Sequence, residues 1–390
     1  MASELAPPLA RTPEEWAQAL APLGGRAFHA KQVFRWVQAR SVLEPSRMTD
    51  LPAALRAQLD ALELPRTLEI AQERRAADDT RKLLVRMKDG ATVETVLIPG
   101  VTGPKGQLPS PVDGASDAME AGDDDGDEEP PEQGEPVRVT QCISTQVGCA
   151  MGCVFCASGV AGLKRHLGAD EIVAQVLAGR ARLDAGERLS NVVYMGMGEP
   201  LANYDSTARS LRLLTHPDGI ALSARRITVS TSGLVPEIAR LGVDFGGRIG
   251  LAISLHAADD ETRTRLMPIN KKYPLAALMA GLRAYPLPPR RRITIEYTLV
   301  AGKNDDPAEA KKLVKLLRGL PVKVNLIPMN PIAASSLGPP DLRGVLAFQR
   351  ILCDAGYSCF IRRRRGDDVD AACGQLALLG AKPKVRVHRA

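Results

Sequence analysis

The chain has 390 residues, 45% of them hydrophobic, and exceeds one ordinary domain of ~100 to 200 residues, so two or three units around a sizeable core are expected. No stretch approaches the ~18 consecutive apolar residues of a membrane span, and residues 1–12 lack the basic-then-apolar layout of a signal peptide. Seven cysteines, an odd number in a long chain, are not the paired framework of a small secreted domain, and a cytoplasmic protein is expected. The net charge of +6 averages two populations: residues 101–136 hold eleven acids and one base, which leaves 50 bases and 34 acids, or +16, on the other 354 residues.

Thr12-Pro13-Glu14-Glu15 reads as a helix start, a cap followed by Pro at the first helical position and Glu at the third, with Trp16, Leu20 and Leu23 on one face. Gly24-Gly25 ends that helix. A second amphipathic helix covers 30–37 with Arg26, Lys31 and Arg35 on or near its polar side, and a third covers 52–62. From Thr67 the period shifts to two, and Asp89-Gly90 between the runs 82–87 and 92–98 is a hairpin signal. Residues 101–136, rich in Gly, Pro, Asp and Glu, bury too little apolar surface to offset ordering entropy and read as a disordered insertion.

After the insertion, strand-like runs at 138–144, 191–197, 226–230, 248–255, 292–300 and 322–328 alternate with helix-like ones at 169–185, 203–215, 260–284, 305–318 and 341–356. Six strands over about 230 residues argue for a parallel α/β sheet, here an incomplete barrel, since a closed eight-strand version needs ~250 residues and two more repeats. Reactive residues belong at the carboxyl ends of such strands. The expected division is a helical N-terminal unit 1–66, a hairpin 67–100, the acidic insertion 101–136, the partial barrel 137–366 and a C-terminal loop with a basic tail 367–390.

Just after the first barrel strand stands Cys149-Ala-Met-Gly-Cys153-Val-Phe-Cys156, a C-x3-C-x2-C run in a loop. Three thiolates at this spacing suit a 4Fe-4S cube with one open iron. A zinc site with a fourth ligand from Cys142 or His166, and three unrelated buried cysteines, are the alternatives that spacing leaves open. Cys353, on a helix face, and Cys359, in a strand, lack any such context and are assigned to the core.

The cysteine run with Phe155 before its last Cys resembles the radical S-adenosylmethionine superfamily, and Met195-Gly196-Met197-Gly198-Glu199-Pro200 resembles its glycine-glutamate element. The likeness goes further. Gln141-Cys142-Ile143-Ser144-Thr145-Gln146-Val147-Gly148-Cys149, Ser230-Thr231-Ser232-Gly233, Ile253-Ser254-Leu255-His256-Ala257, Ile269-Asn270-Lys271-Lys272-Tyr273, Ile327-Pro328-Met329-Asn330-Pro331 and Arg365-Gly366-Asp367-Asp368-Val369-Asp370-Ala371-Ala372-Cys373-Gly374-Gln375-Leu376 resemble the RlmN family, over residues 28–376.

That resemblance implies an incomplete (β/α)6 radical SAM barrel behind a small helical domain and a hairpin. It implies a methyltransferase acting on C2 of adenine 2503 in 23S rRNA and adenine 37 in tRNAs. Ordinary polar methyl transfer fails at this electron-poor carbon. The implied route uses two S-adenosylmethionine molecules per turnover and a 4Fe-4S cluster on Cys149, Cys153 and Cys156. One methylates Cys373; the second yields a 5'-deoxyadenosyl radical that takes hydrogen from the methylated Cys373. Cys142 then resolves the adduct through a disulfide with Cys373, and Glu94 accepts the proton. Gly198, Glu199, Ser230, Ser254, Leu255, His256 and Asn330 correspond to cofactor contacts. Cys373, among small residues near the end of the chain, fits a mobile loop carrying a thiol into the barrel mouth.

The implied partners are 23S rRNA and tRNA, with a flavodoxin or ferredoxin as reductant, for a monomeric enzyme at no membrane. Basic clusters at 225–226, 271–272, 290–292 and 362–365 suit RNA phosphates, and 4% aromatics leaves little for stacking many bases. The target adenine must be splayed out to reach Cys373. A Cfr-type methyltransferase acting at C8, and a zinc-stabilised RNA-binding module without catalysis, are the competing readings. The insertion departs from the family pattern, in which the hairpin runs almost directly into the first barrel strand. A solvating insert is favoured over an RNA mimic that covers the basic face.

Overall fold

The computed structural model describes residues 5–61, 67–100, 135–332, 335–362 and 364–376; the acidic run 101–134, Arg363 of the basic cluster and the tail from 377 lie outside them. At the N-terminus, α1 (Pro13–Leu20) starts on a capping box: Thr12 Oγ1 accepts from the Glu15 amide at 3.3 Å, and Glu15 Oε2 accepts from the Thr12 amide at 2.9 Å. Its buried face is Trp16 and Leu20. The second helix, α2 (Ala27–Phe34), runs on as a π-helical stretch, Arg35–Ala39, and α3 (Ala53–Ala61) buries Leu55 and Leu59.

A meander of β1 (Leu68–Arg75), β2 (Arg81–Met87) and β3 (Thr92–Pro99) follows, one strand more than the hairpin expected. Then come β4 (Val137–Cys142), the short pair β5 (Gln146–Val147) and β6 (Arg165–His166), and α4 (Ala157–Ala161) between them. The repeating part comprises α5 (Ala169–Arg180), β7 (Glu187–Tyr194), α6 (Tyr204–Leu214), β8 (Ile227–Thr231), α7 (Val235–Phe245) and β9 (Gly250–Ser254). It continues through α8 (Asp260–Leu266), α9 (Leu275–Ala284), β10 (Ile293–Leu299), α10 (Pro307–Leu316), β11 (Val322–Pro328), α11 (Leu342–Asp354) and β12 (Ser358–Ile361).

One ten-stranded sheet runs β1-β2-β3-β4-β7-β8-β9-β10-β11-β12, antiparallel up to β4 and parallel beyond it. Strand β10 shows how the sequence makes it: Ile293, Ile295, Tyr297 and Leu299 point to one face, and Thr294, Glu296 and Thr298 to the other, all buried. Register carries the polar face across neighbours, with Ser254 beside Glu296 and Glu296 beside Asn325. The apolar face packs on helices; the polar face lines the inside of the partial barrel.

Three expectations change. The helix at 260–284 is two helices, because Pro268 has no amide to donate and a 3-10 turn, Pro268–Lys271, intervenes. Helix α7 was not expected, although Pro near its start and Gly246 at its end (φ 58°) are ordinary helix punctuation. Cys353 is exposed rather than core, since the buried stripe of α11 is Val345, Phe348 and Leu352, and the next residue turns to solvent; Cys359 is buried as expected.

The meander is tied to the barrel by Arg81, 1% exposed, whose Nη2 donates to Glu187 Oε2 at 2.6 Å while Nη1 donates to the Arg182 carbonyl at 2.8 Å. Glu187→Ala leaves this buried cation with only the half-exposed Asp184, 3.3 Å from Nη1, and the Arg182 carbonyl, so it is expected to cost about 2 kcal/mol in urea unfolding; a loss under about 0.5 kcal/mol contradicts the pinning role.

Candidate active site

The carboxyl ends of the parallel strands meet around an open cavity of about 940 Å³. Its wall includes Cys149, Cys153 and Cys156, Gly198 and Glu199 after β7, Ser230 within β8, Ser254 ending β9 and His256 after it, Asn330 after β11, and Cys373. The parallel sheet thus gathers residues spread over more than 220 positions of sequence. Leu255 differs: it is fully buried, its amide donates to the Glu296 carbonyl at 3.0 Å, and its carbonyl accepts from Arg263 Nε at 3.1 Å.

The cysteine loop is shaped by Gly148 and Gly152, both at positive φ, and held to α8 by the Val154 amide donating to the Leu266 carbonyl at 3.1 Å. Burial pushes the Cys149 thiol up to about 12 and the Cys153 and Cys156 thiols up from the ordinary value, with mutual repulsion adding to the Cys149 and Cys153 shifts. Among the described residues, no three His, Cys, Asp or Glu side chains gather tightly enough for a single ion. The three thiols share one cavity wall, and a C-x3-C-x2-C set suits a cube with one open iron. Neither suggested fourth zinc ligand lines the cavity: Cys142 ends β4, and His166 Nδ1 is 3.0 Å from Gln146 Nε2.

The glycine-glutamate turn packs so closely on the segment after β4 that it has no room for side chains. A Cβ on Gly196 would lie 2.7 Å from the Ile143 carbonyl, and one on Gly198, at φ 105°, 2.6 Å from Gln146 Cβ. Gln146 Oε1 accepts from the Glu199 amide at 2.8 Å, while the Glu199 carboxylate accepts from the Leu201 and Ser232 amides at 3.1 and 2.7 Å. Burial raises its pKa and those amides hold it down, so a ligand ammonium is the complement that the carboxylate lacks. Asn330 Oδ1 is buried with no hydrogen-bond partner among the described residues. Three thiols, a buried carboxylate and an orphaned oxygen on one cavity fit a cluster with S-adenosylmethionine.

His256 sits at φ 55° with its ring edge-on to Phe155, centroids 4.8 Å apart, and its Nδ1 accepts from the Thr298 amide at 2.9 Å. Burial, then the charge of Arg263, push its pKa down to about 3, so it is a neutral imidazole. Sequence reasoning missed Arg263, which reads as a charge on a solvated helix yet is fully buried. Its guanidinium donates to the carbonyls of Ser232 (2.6 Å) and Leu255 (3.1 Å) and to Asn270 Oδ1 (2.9 Å), tying the ends of β8 and β9 to the turn after α8. Burial pulls its pKa down to about 10.

Glu94 and Cys142 lie on one face of the sheet, since Val96 pairs with Cys142 and Glu94 is two residues from Val96. Lys82 on the same face puts its ammonium 3.1 Å from Glu94 Oε1 and donates to the Asp370 carbonyl at 3.1 Å. Far from dangling, the Cys373 loop is fastened. Its carbonyl accepts from Asn330 Nδ2 at 2.9 Å, the Gly374 carbonyl from the Ala157 amide at 2.8 Å, and the Leu376 carbonyl from Ser158 Oγ at 2.6 Å. At its start, Asp78 Oδ2 accepts from the Gly366 amide at 3.1 Å and pairs with Arg365 at 2.9 Å. Cys373 is exposed at the cavity mouth, yet enough protein surrounds its sulfur that desolvation pushes the thiol up, with Arg362 opposing. Burial, and then Cys373, push Cys142 up further. All seven cysteines are free thiols. Of the other basic residues, Arg35 is paired with Asp218 at 2.5 Å.

Two family models match: the radical SAM superfamily over residues 143–316, and the ribosomal RNA large subunit methyltransferase N-terminal domain over residues 11–63. The dual-specificity RNA methyltransferase RlmN of Sorangium cellulosum is 69% identical over 97% of this chain and 97% of its own. That of Syntrophobacter fumaroxidans is 46% identical over 93% and 94%. A crystal structure of a radical SAM methyltransferase from Sphaerobacter thermophilus superposes with a TM-score of 0.81 at 40% identity, covering 94% of this chain and 98% of that one.

The neutral His256 sets a pH dependence. Its proton is taken up by the unfolded chain near pH 6.5 but by the folded chain only near 3. Stability is therefore full above about 6.5 and falls as pH drops, by about 2 kcal/mol at pH 5. His256→Asn, which tolerates the left-handed backbone and keeps an acceptor, is expected to lose that part of the slope in urea unfolding at pH 7.5 and 5; a slope equal to the wild type's contradicts the assignment.

Proposed function

From the chain's membership in the RlmN family of radical SAM RNA methyltransferases, we propose that it methylates C2 of adenine 2503 in 23S rRNA and adenine 37 in tRNAs, with Cys373 as the methyl carrier. The observation that carries this reading is Cys373 at the mouth of the cavity that holds Cys149, Cys153, Cys156 and Glu199. Cys149, Cys153 and Cys156 would hold a 4Fe-4S cluster, which with S-adenosylmethionine would supply a methyl group and a radical able to remove hydrogen from a thioether methyl.

The protein's part is carriage, presentation and release. Glu199 takes the methionyl ammonium, with Gly198 giving the close approach, and Ser230, Ser254, His256 and Asn330 contact the remaining polar atoms. The sulfur of Cys373 accepts the methyl group and becomes a thioether. After loss of a hydrogen atom, the methylene carbon bonds to adenine C2. Glu94, held by Lys82, accepts the proton from C2, and one electron leaves to a one-electron carrier such as the flavodoxin or ferredoxin, which closes the shell of the thioether adduct. The sulfur of Cys142 then attacks that of Cys373: the S–S bond forms as the carbon–sulfur bond breaks and the carbon takes up a proton, leaving methyladenine and a disulfide that an external dithiol must reduce before the next cycle. A flavodoxin or ferredoxin supplies electrons to the cluster of a monomeric, cytoplasmic enzyme.

Reconstitution with iron, sulfide, reductant, S-adenosylmethionine and an RNA stem-loop is expected to yield 2-methyladenosine on nucleoside digestion. Finding 8-methyladenosine in its place rejects the C2 assignment. Cys142→Ala is expected to accumulate a covalent protein–RNA adduct on a denaturing gel, because the resolving thiol is gone while the steps before it remain. Free methylated RNA at the wild-type rate rejects the resolving role.

A further inference from the structure

Cys373 and Asn330 also form one wall of a second, smaller cavity that opens to solvent. It lies where the end of β3 approaches the ends of β11 and β12, the unclosed side of the barrel. Ile98, Ile327 and Pro328 give it flat apolar surfaces, and Arg362, Arg364 and Arg365 give it cations. The carrier thiol therefore stands between a chamber built for the cofactor and a slot of different chemistry.

The three arginines are not alike. Arg364 Nη2 donates to the Met329 carbonyl at 3.2 Å, and Arg365 is committed to Asp78 at 2.9 Å and to the Pro99 carbonyl at 2.8 Å. Arg362 is fixed by its backbone, whose amide donates to the Leu326 carbonyl at 2.8 Å. Its guanidinium stays 4.0 Å from Glu296 Oε1, beyond hydrogen-bond range, and makes no hydrogen bond to the described residues. Its side chain is only 10% exposed, and its field acts on both Cys142 and Cys373. Paired with Glu296 only at 4.0 Å and placed at this cavity beside the reacting thiol, the Arg362 fork can still take an acceptor from a ligand.

Adenine provides one in the right place. C2 lies between N1 and N3, both pure acceptors, whereas guanine carries a hydrogen on N1 and an amino group on C2, and C8 has N7 and the glycosidic nitrogen for neighbours. We infer that the second cavity receives the target adenine, its ring against Ile98, Ile327 and Pro328, and that Arg362 donates to a ring nitrogen flanking C2, turning that carbon toward Cys373. Arg362 is then a substrate-binding and specificity-determining residue. The inference rests on the C2 reading above.

The test uses the full reconstituted chain, with stem-loops carrying adenosine, 1-deazaadenosine or 3-deazaadenosine at the target position. Two readouts are taken: RNA methylation in a single turnover, and methylation of Cys373 by mass of its peptide. Arg362→Lys keeps a cation beside Cys373 but loses the planar fork. Expected are near wild-type Cys373 methylation in this variant and RNA methylation lower by about 10- to 100-fold. One deaza RNA is expected to impose a similar loss on the wild type and little further loss on the variant. The wild-type deaza comparison needs no mutant to fold. Equal use of all three RNAs by the wild type, or unimpaired RNA methylation by Arg362→Lys, overturns the inference. Weaker RNA binding by the variant with undiminished deaza sensitivity assigns the slot to a phosphate and overturns it too. Loss of Cys373 methylation in the variant places Arg362 in the carrier step instead, while 8-methyladenosine from the wild type overturns the C2 reading itself.

Discussion

The site depends on one constraint: a segment whose regular structure is a single 3-10 turn, Asp367–Val369, has to be kept across the open mouth of the sheet over residues 365–376. Backbone polar groups in such a segment need partners that neither a helix nor a ladder provides. They are found in two places. Asp78 and Lys82 on the antiparallel meander hold the start of the segment, while Ala157, Ser158 and Asn330 hold the stretch around Cys373. Both anchorages also touch the proposed site residues. Lys82 is the cation beside Glu94, and Ala157 follows directly on Cys156. Displacing the segment would disturb the carboxylate on one side and the cysteine loop on the other.

This explains why a barrel with an antiparallel extension suits the task better than a closed barrel. The meander continues the sheet past β4, so Glu94 and Cys142 come to lie on one face through ordinary strand register. Closure by further parallel strands would replace the meander and remove the cleft between β3 and the ends of β11 and β12. The polar inner face carries a related cost. Glu296 and Asn325 are buried, and they offset part of that cost by sharing a hydrogen bond at 3.0 Å.

Local patterns were readable and distant partnerships were not. The cysteine run, the glycine-glutamate turn and the capping box are written in adjacent residues, and each forms where its spacing places it. The charged stretch 260–266 gave no sign that Arg263 turns inward, because its acceptors are mostly backbone carbonyls of strands 8 to 31 residues away. Lys82 looked like an ordinary polar position in a hairpin; its neighbour Glu94 is supplied by register and Asp370 by tertiary folding. The same limit hid the fastening of the Cys373 loop. Small residues suggested freedom, but its anchors are backbone groups and distant side chains that composition does not reveal.

Charge follows the same division between local and assembled information. The +16 of the chain outside the acidic run shows that bases are in excess without showing which are available. Arg35, Arg81, Arg263 and Arg365 are each engaged with a carboxylate or a backbone carbonyl, so they orient the protein's own parts. An arginine that is largely buried, paired with a carboxylate only at 4.0 Å and placed at a cavity is a different object, because its donor fork can still take an acceptor from a ligand. Arg362 is in that position beside the two thiols, which makes it more informative about the substrate than the longer basic runs on the surface.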